Sequence, residues 1–206
     1  MARDTQSIVK MSRREGYALH PKAHKALVKR SGPPGQQGNQ FGGRTKSSQY
    51  SLQLREKQKV KRLYGLLERQ FRKVMQEASR SKGQSGAVLL QLLERRIDNA
   101  VYRSGLAPSR RAARQLVTHG HFMLNGRRVN VPSIVLKPGD VIVLRDHSKQ
   151  NAYFKNIDEV SPSGNQSLGW LKANRKKFEI TVTGLPTREE AEPDINEQLI
   201  VEYYSR

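Results

Sequence analysis

The chain contains no cysteine. Disulfides, thiolate-held zinc and thiol nucleophiles are therefore excluded on chemical grounds. Aromatic residues are sparse, at 6% with a single Trp, and hydrophobic residues make up only 35% of the 206 positions. That is thin for one large enzyme core and suits one modest domain with basic appendages, or two small domains. No window approaches the ~18 consecutive apolar residues of a membrane span. The opening Met1-Ala2-Arg3-Asp4 leads into no apolar signal core, so neither a signal peptide nor a membrane span is expected. Acidic residues are also scarce: 18 Asp+Glu face 38 Lys+Arg, for a net charge of +20. Such an excess points to a polyanionic partner, with nucleic acid first and an anionic membrane surface second.

The excess is unevenly placed. Residues 1–91 carry 20 basic against 5 acidic side chains, residues 92–146 carry 10 against 4, and residues 147–206 carry 8 against 9. A merely solubilising surface would not divide this way. Two basic segments are expected to grip the polyanion, and the near-neutral last segment to serve another purpose.

Residues 1–50 predict an extended basic arm. Pro33-Pro34-Gly35, Gly38 and Gly42-Gly43 interrupt it, and Arg13, Arg14, Lys22, Lys25, Lys29, Arg30, Arg44 and Lys46 charge it; it reads as a disordered tail in the isolated protein, as an arm that orders against RNA phosphates, or as both in turn. From Ser51 to Arg80, Leu52, Leu63, Leu66, Leu67, Phe71, Val74, Met75 and Ala78 recur at helical spacing, and Gly65 divides the run into two helices. The opposite face carries Arg55, Lys57, Lys59, Lys61, Arg62, Arg69, Arg72 and Lys73 against Glu56, Glu68 and Glu77. Eight cations exceed what three carboxylates can pair, which predicts an RNA-facing surface.

Ser85 reads as the cap of a further helix with an apolar stripe through Leu89, Leu92, Leu93, Ile97 and Val101. After Gly105, Pro108 breaks the chain and Ser109 caps a helix over 110–118. His121–Leu124, the pair Asn125-Gly126, and Arg127–Val129 predict strand, tight turn and strand. Ile134–Leu136, the turn Lys137–Asp140 and Val141–Leu144 predict a second such unit, which makes 92–146 a small two-helix and β-sheet module. Phe178–Val182 alternates as a strand, and Ile195, Leu199–Val201, Tyr203 and Tyr204 form an apolar end. The segment 147–206 is expected to pack back on the helical body at 51–91. The fold class is α+β.

The candidate RNA site lies in the small module. Ser109, Arg110, Arg111, Arg114 and Gln115 project from one helix start, where backbone N–H groups suit a phosphate. His119, His121, Asn125, Arg127 and Arg128 follow in adjoining loops. Arginine forks suit phosphates and base edges, and imidazole or guanidinium planes stack on unpaired bases.

The stretch LLERRIDNAVYRSGLAPSRRAARQLVTHGHFMLNGRRVNVPSIVLKPGDVIVL at 92–144 resembles the RNA-binding module named after small-subunit ribosomal protein four. SRREG at 12–16, PPGQQG at 33–38, QLREKQKVKRLYGLLERQFRKV at 53–74 and DINEQLIVEYYSR at 194–206 extend the resemblance, in order, to the bacterial-type ribosomal protein family itself. The resemblance implies a primary binder of the five-prime domain of small-subunit rRNA that nucleates assembly. It implies contact with small-subunit ribosomal protein five at an interface linked to decoding accuracy, and a place for Arg44 and Lys46 near the entrance for messenger RNA. A free-standing RNA-binding regulator or heat-shock-type factor is the alternative for a chain carrying this module. Many relatives carry a zinc-binding cysteine pair before the RREG motif; here Val9 and Ser12 stand in those places.

No catalytic constellation is found, and neither an enzyme activity nor a cofactor is expected. Arg96-Ile97-Asp98 has a superficial likeness to the catalytic motif of pseudouridine synthases, but Asp98 falls inside a predicted helix of the module and reads as a helix-surface or salt-bridging residue. About 60 residues follow the module, too few for that catalytic domain. His20 and His24 lack a third metal ligand. The acidic group Glu189, Glu190, Glu192 and Asp194 is either a solvated loop or a contact for a basic neighbour.

Overall fold

The computed structural model of the chain describes residues 4–30, 32–35, 48–161 and 168–205. It divides into two compact units, Met1–Val88 with Asp194–Arg206, and Leu89–Pro193. Among the described residues no helix is long and apolar enough to cross a membrane.

The first unit is helical. Where an extended arm is expected, two helices form, α1 (Ile8–Glu15) and α2 (Pro21–Lys29). Their local signals are small but real. Gly16 ends α1 in the left-handed region at φ 63°, and His20 caps α2, its Nδ1 accepting the Lys22 N–H at 3.0 Å with Pro21 at the first helical position. Helices this short are marginal alone, and side-chain bonds hold them. Ser12 is buried and bridges the two segments, donating to the Ile8 carbonyl at 2.8 Å and accepting the Leu19 N–H at 3.2 Å. Arg13 gathers the carbonyls of Arg30, Gly32 and Pro33. The fully buried Glu15 side chain pairs with Arg55 at 3.2 Å and with Arg62. Burial pushes the Glu15 carboxyl up, against the pull of Arg55 and Arg62.

Helix α3 (Gln49–Leu63), capped by Ser48, ends at Tyr64 and Gly65, the latter at φ 66°, before α4 (Glu68–Arg80). The expected break at Gly65 is thus where the chain turns. Val60, Leu63, Phe71, Met75 and Ala78 are buried along these helices, each of the larger ones contributing roughly 1.5–3 kcal/mol. The last helix, α11 in chain order (Glu197–Tyr204), packs on α3. Glu56 accepts the Asn196 N–H at 2.9 Å, Lys59 donates to the Asp194 carbonyl at 2.5 Å, and Gln53 donates to Glu202 at 2.9 Å.

The division between units falls inside α5 (Ser85–Glu94). The second unit continues with α6 (Ile97–Arg103), α7 (Arg110–Thr118), β1 (Phe122–Leu124), β2 (Arg127–Val129) and β3 (Val141–Leu144). Three short turns of helix follow, α8 (Asp146–Lys149), α9 (Ala152–Lys155) and α10 (Ile157–Val160), then β4 (Leu171–Asn174) and β5 (Glu179–Val182). The five strands form one antiparallel sheet in the order β2-β1-β3-β5-β4. Asn125 and Gly126, at φ 49° and 79°, make the β1–β2 turn, which matches strand twist and suits this residue pair. Asn125 also ties the turn to its neighbour, donating to Asp140 at 2.8 Å and accepting from the Val141 N–H at 2.9 Å.

Two expectations need correction here. Ile134–Leu136 is not a hairpin strand beside Val141–Leu144. It runs against the start of α6, through an Arg96–Val135 bridge and bonds from Ile97 to Ile134 and from Leu136 to Arg95. The free edge of β3 is taken instead by β5, whose buried Ile180 and Val182 join Ile142 and Leu144 in one core with Ile97, Val101, Phe122, Leu136, Phe154 and Trp170. For the same reason the stretch 147–193 completes the sheet-bearing unit, and Asp194–Arg206 belongs with the helices.

Candidate nucleic-acid interface

Helix α7 starts at Ser109, whose Oγ accepts the Ala112 N–H at 3.2 Å. Ala113 and Val117 are fully buried, which fixes the helix rotation and leaves Arg111, Gln115 and His119 exposed. The same rotation turns Arg110 and Arg114 toward the protein. Arg110 donates to Asn99 Oδ1 at 2.9 Å and to Glu192 at 2.7 Å, and its guanidinium lies 4.6 Å from the centre of the Tyr102 ring. Arg114 reaches Asp98 at 3.3 Å.

Asp98 is buried and salt-bridged, the second of its two expected roles and not a helix-surface residue. It takes Arg96 in a two-pronged grip at 3.0 and 2.8 Å and accepts the Asn99 N–H at 2.9 Å. Beside it the buried Glu94 grips Arg103 at 3.0 and 2.8 Å and accepts from Asn99 Nδ2 at 2.7 Å. A satisfied buried network of this kind holds its members in one geometry, and breaking it is costly. Glu94, Asn99, Arg103 and Glu192 enter the site through contacts that the sequence by itself does not signal. Nor is the acidic group near 190 a free loop throughout. Glu192 is ion-paired, and Glu190 accepts N–H groups of Thr187 at 2.8 Å and Gly169 at 2.6 Å. Burial would raise the Glu190 carboxyl, but these N–H donors hold it below its ordinary range.

The end of α7 and the β1–β2 hairpin form a basic crown. Gly120, at φ +72°, lies under the Arg128 guanidinium so closely that an added Cβ would meet Nε at 2.7 Å. Arg145 donates to the Gly120 carbonyl at 3.2 Å, a contribution not foreseen from the sequence. His119 and His121 sit 6.0 Å apart. His121 contacts Ser148 at 3.0 Å and meets Phe154 edge-on. Burial, then the neighbouring His119, Arg145 and Arg128, lower the His121 pKa and favour the neutral ring. Arg127, Arg128 and Asn125 are exposed. The outward members of this surface are therefore Arg111, Gln115, His119, Asn125, Arg127 and Arg128.

In the helical unit the expected cations separate into two groups. Those on α3 are engaged: Lys57, only 3% exposed, and Lys61 hold Glu68 at 2.8 and 3.0 Å, Lys59 holds Glu56 at 2.9 Å, and Arg55 and Arg62 hold Glu15. Those on α4, Arg69, Arg72 and Lys73, are exposed, as is Arg14. Arg13 is bound to backbone carbonyls. Arg44 and Lys46 lie outside the described residues.

The zinc site that the family resemblance brings into question does not fit here. Val9 offers no donor, and the Ser12 hydroxyl is already committed to Ile8 and Leu19. Among the described residues no three His, Asp or Glu side chains converge to hold a metal.

Two family models match the chain: Ribosomal protein S4/S9 N-terminal domain over residues 3–94 and S4 domain over residues 95–142. Together with the exposed basic crown they define a structural RNA-binding protein built around an S4 module, and not an enzyme. Full-length relatives narrow this further. The chain is 50% identical over 207 residues to the small ribosomal subunit protein uS4 of Chloroflexus aurantiacus, 50% over 212 residues to that of Clostridioides difficile and 48% over 212 residues to that of Pelotomaculum thermopropionicum, each covering 100% of both chains. The chain belongs to the small ribosomal subunit protein uS4 family.

Proposed function

We propose that this chain is a structural constituent of the small ribosomal subunit, resident in the cytoplasm, that binds the five-prime domain of small-subunit rRNA early and nucleates its assembly. The observation that carries this reading is the exposed crown of Arg111, Gln115, His119, Arg127 and Arg128 on a rigid, internally ion-paired module. Fixed cations on a surface of defined shape neutralise phosphates, release counterions and select an RNA by its fold. The exposed Arg69, Arg72 and Lys73 of α4 supply a second basic surface. The family resemblance adds a role for the stretch around Arg44 and Lys46 near the messenger RNA entrance. It also adds a contact with small-subunit ribosomal protein five that bears on translational accuracy.

The test is competitive binding of the purified chain to the five-prime domain of the rRNA and to an unrelated structured RNA of equal length, across a salt series. Preference for the five-prime domain that survives high salt is expected. Equal affinities that collapse together as salt rises would mean that net charge alone drives binding, and would overturn the assembly role.

A further inference from the structure

Glu192 occupies an unusual place for a carboxylate in a protein that binds a polyanion. One of its two oxygens, Oε1, bridges two guanidiniums, Arg110 Nη2 at 2.7 Å and Arg103 Nη2 at 3.3 Å. Two arginines converging on one anionic oxygen is the arrangement that also holds a phosphate. We propose that Arg103 and Arg110 form a phosphate site in the RNA-binding unit, and that Glu192 fills it until a backbone phosphate of the RNA takes its place. The proposal rests on the RNA-binding reading above and names a contact within that surface.

Three observations support exchange over a purely structural pair. The first is depth. Of the three carboxylates in the network, the Glu94 side chain is 0% exposed, Asp98 7% and Glu192 19%, so Glu192 is the member that solvent and a ligand reach first. The second is that the cradle has its own supports. Glu94 grips Arg103 by two bonds, while Asn99 and the Tyr102 ring hold Arg110. The guanidiniums therefore stay aimed when Glu192 leaves. The third is charge. The ion-paired set comprises Arg96, Arg103, Arg110 and Arg114 against Glu94, Asp98 and Glu192, so it already leans positive, and departure of Glu192 leaves a stronger anion site. The movement required is small. Arg188 holds the Glu192 carbonyl at 3.2 Å, so the side chain can rotate away with its backbone in place.

The test compares the wild-type chain with Glu192→Gln, with Glu189→Gln as a control of equal charge change on the same loop, and with Glu192→Gln in an Arg110→Gln background. Glu192→Gln is expected to bind the five-prime rRNA domain about fivefold tighter than wild type, and Glu189→Gln to change by less than about twofold. The gain should vanish in the Arg110→Gln background. A second arm uses inorganic phosphate as the probe, at constant ionic strength. Phosphate should raise the melting temperature of Glu192→Gln clearly more than that of the wild-type chain, whose own carboxylate competes. Unchanged or weaker RNA binding by Glu192→Gln together with equal phosphate shifts in the two proteins would overturn the proposal, as would a gain that persists without Arg110. A wild-type chain with no preference for the five-prime domain would sink the assembly role instead, and the phosphate arm would still decide the site.

Discussion

Replacing Asp98 by Ala removes the carboxylate that Arg96 grips at 3.0 and 2.8 Å, that Arg114 reaches at 3.3 Å and that accepts the Asn99 N–H at 2.9 Å. Arg96 stays behind with a side chain only 6% exposed, so its charge cannot recover water. Hydrogen bonds to charged groups contribute ~1.5–3 kcal/mol each, but bonds sharing one hub are not additive. The governing figure is the ~3–5 kcal/mol cost of leaving one partner of a buried ion pair alone. For a chain of 206 residues, at ~2–4 °C per kcal/mol, Asp98→Ala should lower the melting temperature by about 6–20 °C. Circular dichroism melting of wild type, Asp98→Ala and Arg111→Ala side by side makes the comparison. Arg111 is exposed, so its variant should melt within about 2 °C of wild type. A loss for Asp98→Ala no larger than for Arg111→Ala would refute the view that this network is the frame of the RNA-binding unit. The same reasoning separates the arginines of α7. Arg110 and Arg114 are engaged with Asn99, Glu192 and Asp98, while Arg111 is exposed.

Arg111→Ala combined with Arg127→Ala should weaken rRNA binding and flatten the slope of log affinity against log salt by roughly 1.5–2, with melting unchanged; a wild-type slope would remove both residues from the phosphate contacts. Gly120→Ala forces a left-handed φ on a residue with a Cβ and pushes into the Arg128 guanidinium. It should cost about 1–2 kcal/mol in denaturant titrations and also reduce RNA affinity; wild-type behaviour in both would mean that the crown is not built as described. Burial alone would raise the Glu68 carboxyl, but hydrogen bonds from Lys57, Lys61 and Tyr204 outweigh it and hold the pKa at about 2, below the ordinary 4.5. The folded state then binds fewer protons between these values, so the contribution is complete above pH 4.5 and is lost as pH falls through about 2. The stability difference between wild type and Glu68→Gln should shrink over that interval. Because Glu68 is half exposed it should be below about 1 kcal/mol; a difference independent of pH would contradict the assignment.

Much of the candidate site was written in local residue chemistry. Ser109 after Pro108 starts α7, and Asn125-Gly126 accepts the positive φ values of a tight hairpin, because both signals act within four residues of chain. The Arg-rich helix start and the basic hairpin could be placed on that basis, as could the break at Gly65. The +20 charge by itself directed attention to a polyanion. What only the tertiary structure decided depends on partners far apart along the chain. Arg110 and Glu192 are separated by 82 residues, and nothing in either neighbourhood reveals that the two are paired. Helices α1 and α2 depend on distant partners in the same way: Ser12, Arg13 and Glu15 hold the N-terminal segment through contacts with Leu19, with carbonyls near Pro33 and with Arg55 and Arg62. Strand β5 takes the edge of β3 because its buried alternation completes a core that Ile142 and Leu144 leave open on that side. Backbone signals are short-ranged and legible in order. The pairing of a buried charge, and the closing of a core, depend on which distant segment can bring a matching carboxylate or apolar face to the same place.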